Sequence, residues 1–185
     1  MAGYITKNYG TWRGMMRSAL AHGEVALGWH QPILPNPAEI RRLVFVCHGN
    51  ICRSAYAQGL ARTAGLNVTG FGLATSAGAA AHPPLVIAAA ARGTDLGQHQ
   101  SQRVEDYVLQ TGDILLVMEV RQMRRIAADA RLGALPRQLL GLYASPPTPH
   151  IHDPYGLDDD FLPACLMRIE AAVAGLTAAF PAARV

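Results

Sequence analysis

Cys47 and Arg53 stand at the two ends of a short segment, His48-Gly49-Asn50-Ile51-Cys52, and Ser54 follows at once. A thiol and a guanidinium so close together suit a small tetrahedral anion. Arg53 offers a planar fork of donors for two phosphate oxygens, while Cys47, beside that cation and among inward backbone N–H groups, should favour its thiolate over the thiol. A thiolate beneath a bound phosphoryl group is a nucleophile. Gly49 takes positive φ freely and Asn50 tolerates the left-handed region better than most residues, as a curled loop requires. The Ser54 hydroxyl has two roles open to it, capping a helix or donating to the Cys47 sulfur.

The elements that must position this segment lie on either side of it. Leu43-Val44-Phe45-Val46 is apolar, with two β-branched residues, and reads as a buried strand running into Cys47, whereas Ser54 to Ala64 is a helix-compatible run. A loop held between a strand and a helix start can turn its N–H groups inward as an anion nest, with the helix dipole aimed at the same spot.

Filled as C-H-G-N-I-C-R-S directly after a hydrophobic strand, residues 47–54 resemble the phosphate loop of the low-molecular-weight protein tyrosine phosphatases. The resemblance implies Cys47 as nucleophile, with His48, Gly49, Asn50, Ile51, Cys52 and Arg53 as the phosphate-binding loop and Ser54 in support. Such chemistry needs a proton donor for the leaving oxygen. Asp153-Pro154-Tyr155 is similar to the family's general-acid loop, so the acid role carries to Asp153, with Pro154 stiffening the loop. Tyr155 then suits an aromatic wall against a phosphoaryl ring. His99 falls where family members often have a histidine that supports the loop asparagine, here Asn50. Segments 74–78, 114–118 and 139–141 are also similar, and the likeness covers about residues 42 to 180. Ala55 stands where a proline is usual and Glu119 where an aspartate is usual, and the loop Gly78 to Pro84 lacks the aromatic residue that often lines the cleft.

The resemblance implies a metal-independent phosphatase that hydrolyses phosphotyrosine in proteins through a phosphocysteine, releases inorganic phosphate and uses no cofactor. Three alternatives compete. Arginine phosphatases resemble this loop but tend to have threonine at the position of Ile51. Arsenate reductases need further cysteines to relay a disulfide, and Cys165 lies on an apolar stripe where a core thiol is expected. A phosphoprotein-binding module without catalysis would need neither Cys47 nor Asp153. His150, His152 and Asp153 could also be read as metal ligands, but no further partners are grouped with them and the phosphate loop would go unexplained. A curled loop brings Cys52 toward Cys47, which makes a redox pair that could capture a sulfenic acid as a disulfide.

Composition bounds the rest. The chain has 185 residues, half of them hydrophobic, enough for one α/β domain with an appendage. Net charge is +3, with scattered Lys and Arg and no basic run interleaved with aromatics, so no nucleic-acid partner is expected. Three cysteines make no disulfide framework and point to a reducing cytoplasm. No stretch reaches the roughly 18 apolar residues of a membrane helix, and the N-terminus lacks the apolar centre of a signal peptide.

In chain order, residues 1–39 read as an extension of uncertain structure. Trp12, Met15, Met16, Ala19 and Leu20 fall at helical spacing with Arg13 and Arg17 nearby, while Gly10, Gly14, Gly23 and Gly28 weaken a helix there. Packing of this extension on the domain is the main expectation, and membrane contact through residues 1–30 the minor one. The prolines of segment 31–37 mark a boundary, and residues 40–185 form the catalytic domain. Within it, strands are expected at Leu43–Cys47, Asn67–Ser76, Asp113–Met118 and about Gln138–Leu142. Helices are expected after the phosphate loop, from Pro83-Pro84 to Gly93, around Met123 and Ile126, and over Asp160–Phe180. In the last, Phe161, Cys165, Ile169, Val173, Leu176 and Phe180 form a core-facing stripe with Asp160 as N-cap. Alternating strands and helices argue for a small open parallel sheet of about four strands with helices on both faces, its ligand beyond the carboxyl ends of the strands.

Overall fold

The central strand β1 (Arg42–Cys47) has a side chain for each face of a sheet at every step, and residues Leu43 to Val46 are fully buried. Leu43, Phe45 and Cys47 join one core and Val44 and Val46 the other. A strand apolar on both faces needs cover on both, which is why it reads as an unbroken hydrophobic run. A computed structural model, describing residues 2–157 and 159–185, shows how the chain supplies that cover.

Four parallel strands, β1, β2 (Val68–Gly72), β3 (Asp113–Val117) and β4 (Arg137–Leu139), lie in the order β2-β1-β3-β4. Register pairs Val46 with Phe71 on one side and Val117 on the other, so all three strands end at one edge. One core holds α3 (Arg53–Thr63), α4 (Pro83–Ala90) and α6 (Leu162–Ala179) against the sheet, and the other holds α5 (Val120–Ala127). Every residue of the stripe expected in the last helix is buried. Cutting Phe45, at the centre of the sheet, to Ala would cost about 3–5 kcal/mol in lost burial and cavity formation.

Several boundaries differ from expectation. β2 stops at Gly72, and β4 covers only three residues before Leu140–Tyr143 turn as a 3-10 helix. The α6 helix begins at Leu162 with Phe161 at its N-cap, because Asp159–Phe161 form a 3-10 turn ahead of it; Asp160 is therefore not the cap. The α6 helix also has 18 residues and is apolar enough to cross a membrane, contrary to the expectation that no stretch is. Its apolar face is spent on the core with α3, as befits a buried helix of a globular domain.

The N-terminal extension departs most. Two helices form, α1 (Ala2–Tyr9) and α2 (Trp12–Ala26), and Met1 lies outside the described residues. Gly10 turns the chain at φ +73° and the Thr11 hydroxyl caps α2 by accepting from Gly14 N–H at 3.0 Å. Glycine weakens a free helix, yet here Gly14, Ser18 and Ala21 are the buried face of α2, where small residues allow close approach. Trp12, Met16 and Leu20, which fall at helical spacing, point to solvent at 63%, 47% and 62% exposure. The segment beyond α2 adds one antiparallel bridge to the sheet edge, Ile33 to Arg137 of β4.

Candidate active site

Beyond the carboxyl end of β1 the chain curls through residues 48–52 and enters α3 at Arg53. The left-handed turn this requires is taken by Asn50 at φ +53°, while Gly49 is not at positive φ. Asn can hold that conformation because its short polar side chain bonds locally. The Asn50 amide nitrogen Nδ2 donates to Ser54 Oγ at 2.8 Å, and Oδ1 accepts from Gln102 N–H at 2.9 Å. The ring of His99 contacts the Asn50 carbonyl at 2.6 Å through Nε2, which places the supporting histidine on the backbone of the loop. Ala74 N–H donates to the His48 carbonyl and His82 N–H to that of Ile51, both at 2.9 Å, so the curl is tied at several points. Gly72, at the end of β2, lies so close that an added Cβ would sit 2.9 Å from the backbone of Gly49 and His48.

Two groups donate toward the Cys47 sulfur. Asn50 N–H reaches it at 3.2 Å and Ser54 Oγ lies at 3.0 Å. Ser54 Oγ accepts from Asn50 and still has its own hydrogen to give to the sulfur when Cys47 is a thiolate, and among the described residues no side chain caps α3. Of its two roles, Ser54 takes the sulfur.

Arg53 is fully buried and spans three partners. Its Nη1 donates to Glu119 Oε1 at 2.5 Å and to the Ile151 carbonyl at 2.9 Å, and Nη2 donates to Asp153 Oδ2 at 2.5 Å. Nε, also buried, has no partner among the described residues. A buried N–H without an acceptor costs about 1–3 kcal/mol, so this is a donor ready for an incoming oxygen. Burial opposes the Arg53 charge, but Asp153 and Glu119 outweigh it and raise its pKa. For Glu119, burial likewise opposes the charge, and Arg53 with Arg121 prevails, pushing the pKa down to about 2. Glu119 follows the apolar run of β3 directly, at the edge where site residues gather. That position was the sequence signal for its role as the fixed counter-charge of Arg53.

A cavity of about 230 Å³ opens over the loop, and Cys47, Cys52, Thr75, Asp153 and Tyr155 are among the residues lining it. Tyr155 is 59% exposed at the rim, and His82 stacks edge-on against it with ring centroids 5.1 Å apart. His82 thus contributes a ring on the side where the short loop 78–84 lacks an aromatic residue, a contact that no local pattern announced. Cys52 and Cys47 both carry free thiols, and burial pushes the Cys52 pKa up. Cys165 is wholly buried, its pKa pushed up to about 12 by desolvation, with its thiol 3.7 Å from the His152 carbonyl.

The loop of residues 150–157 is held from behind by the N-terminal helices. His150 and His152 turn inward, with His150 Nε2 3.3 Å from His152 Nδ1 and His152 Nε2 3.4 Å from Thr11 Oγ1. A Cβ on Gly14 would lie 2.9 Å from the His152 ring, and one on Gly10 would strike Leu157 and Phe161. Arg168 of α6 donates to the Asn8 carbonyl at 2.5 Å and lies over the Tyr9 ring.

A thiol in a curled loop at the carboxyl edge of a parallel sheet, with an arginine at the loop's far end, is the arrangement that cysteine-dependent phosphoryl transfer requires. Residues 42–184 match the family model described as low molecular weight phosphotyrosine protein phosphatase, and the chain belongs to that family. A curated relative, a probable low molecular weight protein-tyrosine-phosphatase EpsP of Ralstonia solanacearum, is 37% identical over 91 residues, covering 48% of this chain and 63% of the relative. Among solved structures, the tyrosine phosphatase AmsI of Erwinia amylovora is 25% identical with a TM-score of 0.66, over 76% of this chain and 93% of that one. The YwlE arginine phosphatase of Geobacillus stearothermophilus shares the fold at 21% identity and a TM-score of 0.64, over 75% of this chain and 91% of that one. Residues 1–41 lie ahead of the family match.

Proposed function

We propose that the protein hydrolyses phosphotyrosine in proteins, with Cys47 as nucleophile and Asp153 as general acid. The observation that carries this reading is the cavity shared by Cys47, Asp153 and Tyr155, with Arg53 bonded to Asp153 behind its lining. The phosphoryl group enters the curl of residues 48–52, and its oxygens take the loop N–H groups and the Arg53 donors. Cys47 Sγ then attacks phosphorus in line. As the S–P bond forms and the P–O bond to tyrosine breaks, Asp153 gives its proton to the leaving phenolic oxygen. Asp153, now a carboxylate, takes a proton from the water that attacks the phosphocysteine. Inorganic phosphate leaves and the Cys47 thiolate returns. Nucleophile and acid both act without a metal or cofactor in this scheme.

Tyr155, with His82 against it, supports an aryl leaving group, because a flat ring beside the nest favours phosphotyrosine over the shorter phosphoserine. The need for a reduced Cys47 supports a cytoplasmic setting. The deciding experiment compares kcat/KM for matched phosphotyrosine, phosphoarginine and phosphoserine peptides. Phosphotyrosine is expected to lead. Equal or faster turnover of the phosphoarginine peptide would overturn the assignment of substrate, and no turnover of any of the three would overturn catalysis itself.

A further inference from the structure

The α2 helix packs with its small residues and shows its large ones. Gly14, Ser18 and Ala21 face the domain, while Trp12, Met16, Leu20 and Leu27 fall within about 80° of arc on the opposite side at 100° per residue. Their exposures are 63%, 47%, 62% and 61%, and Trp29, just past the helix, is 62% exposed. Both tryptophans of the chain therefore stand in water on one short element. A contiguous apolar face of this kind marks an interaction surface.

Its charge says what kind. Residues 1–38 carry Lys7, Arg13 and Arg17 against one acid, Glu24, and Arg124 of α5 holds Glu24 in an ion pair. The guanidinium of Arg13 lies over the Trp12 ring, 5.7 Å from its centroid, at the margin of the apolar stripe. Exposed indoles and aliphatic side chains bordered by arginine, with the one neighbouring acid already paired, are the pattern of a helix lying in the headgroup layer of an anionic bilayer, where indole prefers to sit. A second copy of this chain would set arginine against arginine at this border, its Glu24 being already paired with Arg124.

We infer that the outward face of α2 docks on an anionic lipid surface through Trp12, Met16, Leu20, Leu27 and Trp29, with Arg13 contacting lipid phosphates. The inference stands apart from the catalytic reading. It is tested with the full chain and vesicles of mixed phosphatidylglycerol and phosphatidylcholine, by flotation and by intrinsic fluorescence, since both tryptophans report from the docking face. The wild type should float with the mixed vesicles, shift its emission to the blue, and release at high salt. The triple variant Trp12→Ser/Met16→Ser/Leu20→Ser should lose at least about tenfold in partition while keeping its turnover of a small aryl phosphate. Arg13→Gln should weaken partition about fivefold at low salt, the contribution of one cation near such a surface. Absence of flotation and of a blue shift overturns the inference, as does equal binding of wild type and triple variant. Dimerisation in light scattering that the triple variant abolishes, without vesicle binding, would also overturn it and make the face a contact between copies.

Discussion

Arg53 holds Asp153. The guanidinium Nη2 and the carboxylate Oδ2 are 2.5 Å apart, so a carboxylate rests against a donor that also serves a phosphoryl oxygen. Arg53 stays anchored from below by Glu119 and the Ile151 carbonyl, whereas Asp153 sits on a loop with 30% of its side chain exposed. In the proposed mechanism an arriving phosphate monoester monoanion competes with Asp153 for Arg53, and the released carboxylate takes up the monoanion's proton, which makes it the acid that meets the leaving oxygen.

That competition can be measured. Asp153→Asn removes the negative charge and should bind inorganic phosphate about fivefold more tightly, the scale of a partly exposed ion pair. The same variant should lose kcat most on substrates with poor leaving groups such as tyrosine and least on dinitrophenyl phosphate. A loss equal across leaving groups would remove Asp153 from the acid role.

Cys47→Ser should abolish turnover and keep phosphate affinity, because the nest survives the loss of the nucleophile. Arg53→Lys should lose at least about 100-fold in kcat/KM, since an ammonium cannot span Glu119, Ile151 and a phosphoryl oxygen together. Steady-state kinetics within about tenfold of wild type for either variant would sink the mechanism.

The N-terminal helices should matter to the acid rather than to the nucleophile. In Gly14→Ala the new Cβ meets the Tyr9 carbonyl at 2.1 Å and the His152 ring at 2.9 Å, next in sequence to Asp153. Turnover of phosphotyrosine should fall several-fold while that of dinitrophenyl phosphate holds, a split of the kind that misplacement of a catalytic group produces. Thr11→Val, which removes the contact to His152 without adding bulk, should show the same split more weakly. Uniform loss on both substrates would mean that the extension only stabilises the fold.

Stability should fall on mild acidification, and His150 should account for part of it. Burial, against a smaller opposing pull from Glu119, pushes its pKa down to about 4 from an ordinary 6.5. Between those values the unfolded chain takes up a proton that the folded protein refuses, so the folded state loses stability as pH falls, by roughly 3 kcal/mol once below both values. Urea unfolding of His150→Gln should show a shallower decline from pH 6.5 to pH 4. An unchanged slope would show that His150 titrates normally in the fold.

Cys52 lines the same cavity as Cys47, and both thiols are free. Peroxide converts the Cys47 thiolate to a sulfenic acid; attack by the Cys52 sulfur then forms the disulfide and expels water, and dithiothreitol restores both thiols by exchange. Peroxide inactivation should therefore be reversible in wild type and much less so in Cys52→Ser. Because burial raises the Cys52 pKa, capture should speed up with pH. Equal recovery of the two proteins would leave Cys52 as packing.

The sequence by itself determined where the cysteine and the arginine lie and the sheet that carries them. Cys47, Arg53 and the buried run Leu43 to Val46 lie within one local stretch, and local spacing dictates a strand, a curl and a helix start whatever surrounds them. The apolar stripe of α6 was legible for the same reason, since its period of 3.6 is a local property. Tertiary structure alone decided what meets across distance. Glu119 is 66 residues from the Arg53 it anchors, Thr11 is 141 from the His152 it touches, and His82 finds Tyr155 only because two loops share an edge. It also decided which face of α2 is hidden. Helical spacing groups Trp12, Met16 and Leu20, but periodicity says only that residues share a side. The close approach of the Tyr9 carbonyl and the His152 ring, which leaves no room for a side chain at Gly14, set the small face of α2 against the domain and the large one outward.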